Sequence, residues 1–265
     1  MTELELVRWG NLFNKKLTLY IDINRLNWFE KILISRQKKL NYKSLDHYYF
    51  YLIENDSLAE WDVLIDQITV HETRFNRDKY LLHFLRNVLK NDFNFNSKIN
   101  IFSAGCSTGE EAFSIAFLLE EMGKKYEIDG VDISKRVVNI ANKGVYSKKS
   151  FDCYDEKIRN KFLAPVDNNR FVIKKIINEN VRFFVKDLLN LKSIKKKYHI
   201  VICKNVLIYF DTKIRIKILD KLFSLVEDKG YLLIGFGEGI GWGNKNAKSI
   251  ADVRNVIYQK EERLN

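Results

Sequence analysis

From about residue 98 the sequence alternates short apolar runs with amphipathic helical stretches, and this rhythm admits few architectures. Strands are expected near residues 99–103, 126–131, 181–184, 199–203, 231–236 and 253–258. Helices are expected near 110–122, 135–142 and 212–226, the last closed by Asp228-Lys229-Gly230. Alternating strands and helices predict an α/β fold with a doubly wound, mostly parallel, Rossmann-like sheet. No clear helix separates the last two strands, which fits a final antiparallel pair. The segment from about 145 to 180 is polar and poorly periodic; a lid, an inserted hairpin and a plain connection all remain open.

Residues 1 to about 70 carry a helical period instead. Leu6, Trp9, Phe13 and Leu17 recur at helical spacing, as do Leu26, Phe29 and Leu33 behind a capping Asp22. Leu45, Tyr48, Tyr49 and Leu52 follow Ser44, and the capping box Ser57-Leu58-Ala59-Glu60 precedes Trp61, Leu64, Ile65 and Ile68. A small all-α unit is expected, with its aromatic stripes serving as core. The expected boundaries are a helical domain over 1–72 and an α/β domain over 73–265.

Composition narrows the function. No apolar run reaches the roughly 18 residues a membrane span needs, and the start, Met1-Thr2-Glu3-Leu4-Glu5, lacks the basic and apolar regions of a signal peptide. A cytoplasmic location without direct membrane insertion is expected. Cys106, Cys153 and Cys203 form no CxxC pair, and His47, His71, His83 and His199 lack zinc-ligand spacing, so no metal is expected. The net charge of +11 raises a nucleic-acid reading. Lysines spread throughout the chain weigh against it, and Lys192-Ser193-Ile194-Lys195-Lys196-Lys197 reads as a solvated loop.

In a doubly wound sheet, ligands bind beyond the carboxyl ends of the strands. Four segments end there. The first runs Ser103-Ala104-Gly105-Cys106-Ser107-Thr108-Gly109-Glu110-Glu111, where two glycines would admit close ligand approach. It is not GxGxxG, and acids at the helix start suit a cationic ligand such as the amine of a methionine moiety better than a phosphate. The second is Val131-Asp132, whose carboxylate can take both ribose hydroxyls, or else cap a helix, a role also open to Ser134. The third, Lys186-Asp187-Leu188-Leu189, offers a polar residue for an adenine edge. The fourth runs from Val201 to Asp211 through Lys204, Asn205 and Tyr209. It lacks the Asn/Asp-Pro-Pro-Tyr/Phe motif of amino-methylating nucleic-acid enzymes, and Pro165-Val166 is not the Pro-Cys of cytosine C5 enzymes.

At these residues the chain resembles the bacterial chemotaxis receptor methyltransferases (CheR-type). The resemblance is carried by His71-Glu72-Thr73-Arg74-Phe75-Asn76-Arg77-Asp78, by residues 103–116, by Gly130-Val131-Asp132-Ile133, and by residues 203–211 with 231–238. It implies a class I methyltransferase domain behind a small N-terminal all-α domain, with S-adenosylmethionine bound in a cleft between them and S-adenosylhomocysteine as product. It further implies that His71, Thr73, Arg77, Gly105, Glu111, Asp132, Asp187, Leu188, Lys204 and Asn205 contact the cofactor, and that Arg77 and Tyr209 act beside the methyl group. The implied acceptor is a glutamate carboxylate on the cytoplasmic helical region of chemoreceptors, modified by a monomeric enzyme.

The chain departs from the family at several points. Phe75-Asn76 replaces a double Phe, Lys204 replaces an Arg, and Asp187 stands where Asn is usual. Residues 162–170 lack the glycines of the hairpin that docks a receptor's C-terminal peptide in some members. Lys31, Arg36, Lys38, Lys39 and Lys43 are candidates for steering onto an acidic receptor helix. The alternatives are a nucleic-acid methyltransferase and a non-catalytic, cofactor-binding chemotaxis adaptor.

Overall fold

The computed structural model describes residues 1–18, 26–54, 58–92, 97–250 and 256–262, except for the side chains of Glu3 and Leu58. Contacts divide the chain into two compact units, Met1–Val70 with Ile208–Arg215, and His71–Leu207 with Ile216–Asn265.

The first unit is built on α1 (Glu3–Leu17), α2 (Leu26–Lys39), α3 (Leu45–Glu54) and α4 (Leu58–Ile68). Thr2 opens α1 through a reciprocal capping box with Glu5, which satisfies two otherwise orphaned N–H groups. The expected caps at Asp22 and Ser57 lie outside the described residues. The aromatic stripes do form the core: Phe13 meets Phe29 and Trp61 edge-on at 5.0 and 5.3 Å, and Trp9 packs on Tyr48. Among these apolar side chains lies an ion pair. Arg36 donates from Nε and Nη2 to the two oxygens of Glu60, at 2.9 and 2.6 Å, and Tyr48 donates its hydroxyl to the same carboxylate. Arg36 is buried, so it leaves the basic surface cluster proposed for steering. Its fork is used inside the core because the Glu60 carboxylate there needs a bidentate partner.

In the second unit, α5 (Lys79–Asn91) precedes β1 (Ile99–Ala104), α6 (Glu110–Glu121), β2 (Tyr126–Asp132) and α7 (Lys135–Lys143). Next come β3 (Val145–Ser147), α8 (Glu156–Phe162), β4 (Leu163–Pro165), β5 (Arg170–Ile173) and α9 (Lys175–Asn178). The chain then continues through β6 (Val181–Val185), β7 (Tyr198–Cys203), α10 (Thr212–Leu225), β8 (Val226–Ile234), β9 (Ala247–Ile250) and β10 (Val256–Lys260).

The main sheet has the order β6-β2-β1-β7-β8-β10-β9. Pairing is parallel from β6 to β8, and β10 runs antiparallel to both β8 and β9. This is the doubly wound sheet with a terminal antiparallel addition that the strand–helix rhythm implied. The order turns outward in both directions from β1, which places the ends of β1, β2 and β7 at the switch point where such sheets bind ligands. Residues 253–255 of the expected last strand lie outside the described residues.

One expectation needs correction, and one reading left open is resolved. Asp228-Lys229-Gly230 does not close α10; it lies within β8 as an irregularity between the Tyr198–Val226 and Ile200–Tyr231 pairs, with Lys229 at a φ of 65°. The helix ends earlier because Val226 and residues 231–234 are buried strand positions, and between them Asp228 and Lys229 bulge outward while Gly230 stays buried. The open middle segment contains an inserted antiparallel sheet of order β3-β5-β4. Its β4–β5 turn has no glycine and no positive φ. Asp167 holds it instead, accepting from the Asn169 N–H at 2.9 Å and from Arg170 Nε at 2.7 Å.

Candidate cofactor site

The site begins where β1 ends. Gly105 and Cys106 both donate their backbone N–H to the Val131 carbonyl, at 2.8 and 3.0 Å, tying the bend to the end of β2. Gly105, Ser107 and Gly109 take φ values of 73°, 49° and 94°, and Gly109 then caps α6. A Cβ at Gly105 would lie 2.2 Å from Val206 Cγ2; one at Gly109 would press on Ala141 and Phe183 at 3.0 Å. The backbone turn and neighbouring side chains therefore require these glycines, whether or not a ligand approaches them.

Asp132 closes β2 and is buried. Its Oδ2 accepts the Ser107 N–H and its Oδ1 the Ser134 N–H, each at 3.0 Å. Ser134, not Asp132, caps α7 through the Val137 N–H. Burial raises the Asp132 pKa above the usual aspartate value, against the opposing pull of the Ser134 and Ser107 amides and of His71.

Glu111, in the first turn of α6, accepts a hydrogen bond from the Ser103 hydroxyl at 2.9 Å. Burial raises its pKa too; Ser103, Lys204 and Arg77 oppose the rise, while Asp78 reinforces it. Its neighbour Glu110 is instead held by the Thr108 hydroxyl at 2.6 Å. Glu111 is thus the acid of the pair set among cations. Lys204 forms an ion pair with Asp78, whose other oxygen caps α5 through the Leu81 N–H at 2.8 Å.

The segment before α5 reaches the bend directly: Ser107 Oγ donates to the His71 carbonyl at 3.2 Å. Thr73 is half-buried in this segment, and the exposed Arg77 donates to the Glu72 carbonyl at 2.6 Å. Phe75 is buried among Phe117, Tyr146, Phe151 and Tyr154. Asn76 takes a φ of 53° and donates its N–H to Ser114 Oγ at 3.0 Å. Asparagine tolerates that left-handed turn better than the Phe usual at this position.

His71, Arg77, Gly105, Glu111, Asp132 and Lys204 therefore belong to one connected neighbourhood. Asp187 and Leu188 adjoin it, because the Lys186 N–H donates to the Asp132 carbonyl at 2.8 Å. Asp187 is occupied locally, accepting from the Leu189 N–H at 2.8 Å and Asn190 Nδ2 at 3.0 Å, while Leu188 is buried. Asn205 is exposed at a φ of 61°. Tyr209 belongs to the helical unit, where its ring packs on the aromatic core and its hydroxyl accepts the Val70 N–H at 3.3 Å. Three participants were not singled out from sequence as site residues: Asp78, Ser103 and Ser107. Asp78 carried one signal, as a capping residue before an apolar period; the others act through long-range contacts that no local pattern shows. Among the described residues no cluster of His, Cys, Asp and Glu suits a metal ion, and no helix is long and apolar enough to cross a membrane.

Residues 71–257 match the family described as CheR methyltransferase, SAM binding domain. The chain belongs to this family. The matched span contains the bend, Asp132, Glu111 and the Lys204–Asp78 pair. The chemotaxis protein methyltransferase of Borreliella burgdorferi is 33% identical over 83% of this chain and 82% of its own. Chemotaxis protein methyltransferase 2 of Vibrio cholerae is 26% identical over 91% of this chain and 87% of its own. The solved N-methyltransferase NodS from Bradyrhizobium japonicum, in complex with S-adenosyl-l-homocysteine, aligns over 72% of this chain and 90% of its own, at 12% identity and a TM-score of 0.42.

Proposed function

We propose that this CheR-family chain transfers a methyl group from S-adenosylmethionine to glutamate side-chain carboxylates of methyl-accepting chemotaxis receptors. The observation that carries the reading is that the matched family span holds two carboxylates in one neighbourhood, buried Asp132 at the end of β2 and half-buried Glu111 in the first turn of α6. The names of the relatives supply the chemotaxis context.

The residues fit the cofactor by their chemistry. Asp132 accepts the Ser107 N–H on one oxygen and the Ser134 N–H on the other, and a carboxylate oxygen has a second acceptor direction that suits a ribose hydroxyl. Glu111 offers negative charge to a methionine ammonium. Asp187 and Leu188 are proposed to border the adenine, and His71, Thr73, Arg77, Gly105, Lys204 and Asn205 to complete the contacts. The sulfonium-bound methyl supplies the electrophile. A glutamate acceptor has an ordinary pKa of about 4.3, so it arrives ionised and needs no general base. The protein's work is alignment of the reacting atoms, worth roughly 7–11 kcal/mol when orientation is good, together with exclusion of water from the acceptor carboxylate. Arg77 and Tyr209 are proposed to position groups around the methyl, neither acting as a covalent catalyst.

In this reading the 1–72 and 73–265 segments are the helical and cofactor-binding domains of a monomer that stays off the lipid and meets the cytoplasmic helical region of the receptor. Incubation with methyl-labelled S-adenosylmethionine and receptor cytoplasmic fragments should give protein-bound label that alkali releases as methanol. Label on nucleic acid, or cofactor binding with no transfer to receptor, would replace the reading with one of its alternatives.

A further inference from the structure

Beyond the residues already placed around the cofactor, one buried carboxylate organises the site from behind. Glu238 is 2% exposed and follows β8 in the sequence Gly235-Phe236-Gly237-Glu238. Its Oε2 accepts the N–H groups of Asn205 at 3.0 Å and Gly235 at 2.8 Å, and its Oε1 accepts that of Leu207 at 2.8 Å. Two of these donors lie in the segment after β7 and the third lies after β8, so one side chain staples two neighbouring strand-end loops. The stapled segment contains Asn205 in the left-handed region, a conformation asparagine adopts more readily than most residues. Gly235 makes the staple possible: a Cβ there would lie 2.2 Å from Glu238 Oε2.

We propose that Glu238 is a positioning residue for methyl transfer, fixing the backbone from Lys204 to Leu207 so that Lys204 and Asn205 are presented to the cofactor. The inference rests on the cofactor reading above. The chemistry demands a carboxylate, because all three partners are donors and only an ionised carboxylate accepts at both ends. A glutamine in either amide orientation turns an NH2 group toward at least one backbone N–H. Aspartate is one methylene too short to reach the same three amides.

The test is Glu238→Gln, with Gly235→Ala as an independent displacement of the same carboxylate and half-buried Glu227→Gln as control. In protein shown to be folded by circular dichroism, E238Q and G235A are expected to weaken S-adenosylhomocysteine binding at least tenfold by calorimetry, while E227Q binds as wild type. A merely structural role would lower the melting temperature but leave the dissociation constant of the folded fraction unchanged; that result overturns the proposal. Should the variants not fold, hydrogen exchange on the wild-type protein decides it. Added S-adenosylhomocysteine is expected to slow exchange at Asn205, Leu207 and Gly235 together, and no slowing at these amides overturns the proposal. Wild-type protein that fails to bind S-adenosylhomocysteine would sink the cofactor reading and this inference with it, whereas wild-type binding matched by E238Q sinks this inference alone.

Discussion

Asp132→Ala is expected to weaken S-adenosylmethionine binding about 100-fold, measurable by calorimetry against the wild-type protein. Hydrogen bonds to a charged group contribute about 1.5–3 kcal/mol each, and a factor of ten in affinity corresponds to about 1.4 kcal/mol. Loss of a carboxylate that holds two ribose hydroxyls, partly offset by water entering the gap, comes to about 2.7 kcal/mol. The substitution also frees the Ser107 and Ser134 amides, which now donate to Asp132. Asp132→Asn retains one acceptor oxygen and is expected to fall between Ala and wild type. A pH dependence follows from the raised pKa of this group. A carboxylate whose folded pKa lies above its unfolded value destabilises the unliganded fold once pH rises past the unfolded value and the group must ionise in burial. Ribose hydroxyls donating to the ionised form offset that cost. Cofactor affinity is therefore expected to rise with pH through the shifted Asp132 pKa, and to lose that dependence in Asp132→Asn.

Glu60→Ala is expected to cost about 3–5 kcal/mol of stability in the helical unit, the range for breaking one side of a buried ion pair. Arg36 would keep its charge among apolar side chains while losing a bidentate partner at 2.9 and 2.6 Å, and the Tyr48 hydroxyl would lose its acceptor. The present arrangement raises the Arg36 pKa, chiefly through its hydrogen bonds to Glu60, so the guanidinium stays charged and cannot escape by deprotonation. The double variant Arg36→Met/Glu60→Leu removes both charges and is expected to regain most of the loss, since apolar replacements of buried pairs are often neutral. Hydrogen exchange resolved over α2, α3 and α4 measures the effect locally and separates it from unfolding of the α/β unit. A Glu60→Ala protein with wild-type protection in these helices would show that the pair contributes little.

The sequence was most legible where the physics is local. The strand pattern placed β1, β2, β6 and β7 within a residue or so: β1 and β7 are runs buried at nearly every position, while β2 and edge strand β6 alternate apolar with polar or exposed positions. Glycines marked the bend, and Ser134 was one of two candidates for the cap of α7, which it forms. The α5 period of Leu81, Leu85, Val88 and Leu89 was present but was not among the expected helices. Short elements were illegible: β9 is Ala-Lys-Ser-Ile, half-exposed at a sheet edge, and β3 and β4 have three residues each. At the site, Asp132 and Glu111 could be found from their positions after a strand and at a helix start. The Lys204–Asp78 pair and the Glu238 staple join residues 126 and 31–33 positions apart, and only the folded sheet brings them together. Arg36 shows the reverse failure: a lysine- and arginine-rich helix end looks like surface until a buried glutamate two helices later claims one of the charges.

The most direct measurement is a crystal structure of this protein with S-adenosylhomocysteine. Both ribose hydroxyls should lie within hydrogen-bond distance of Asp132, with the ammonium beside Glu111 and the 105–109 bend at the ligand. Electron density placing the nucleoside away from the β2 end, with Asp132 still bonded only to Ser107 and Ser134, would contradict it.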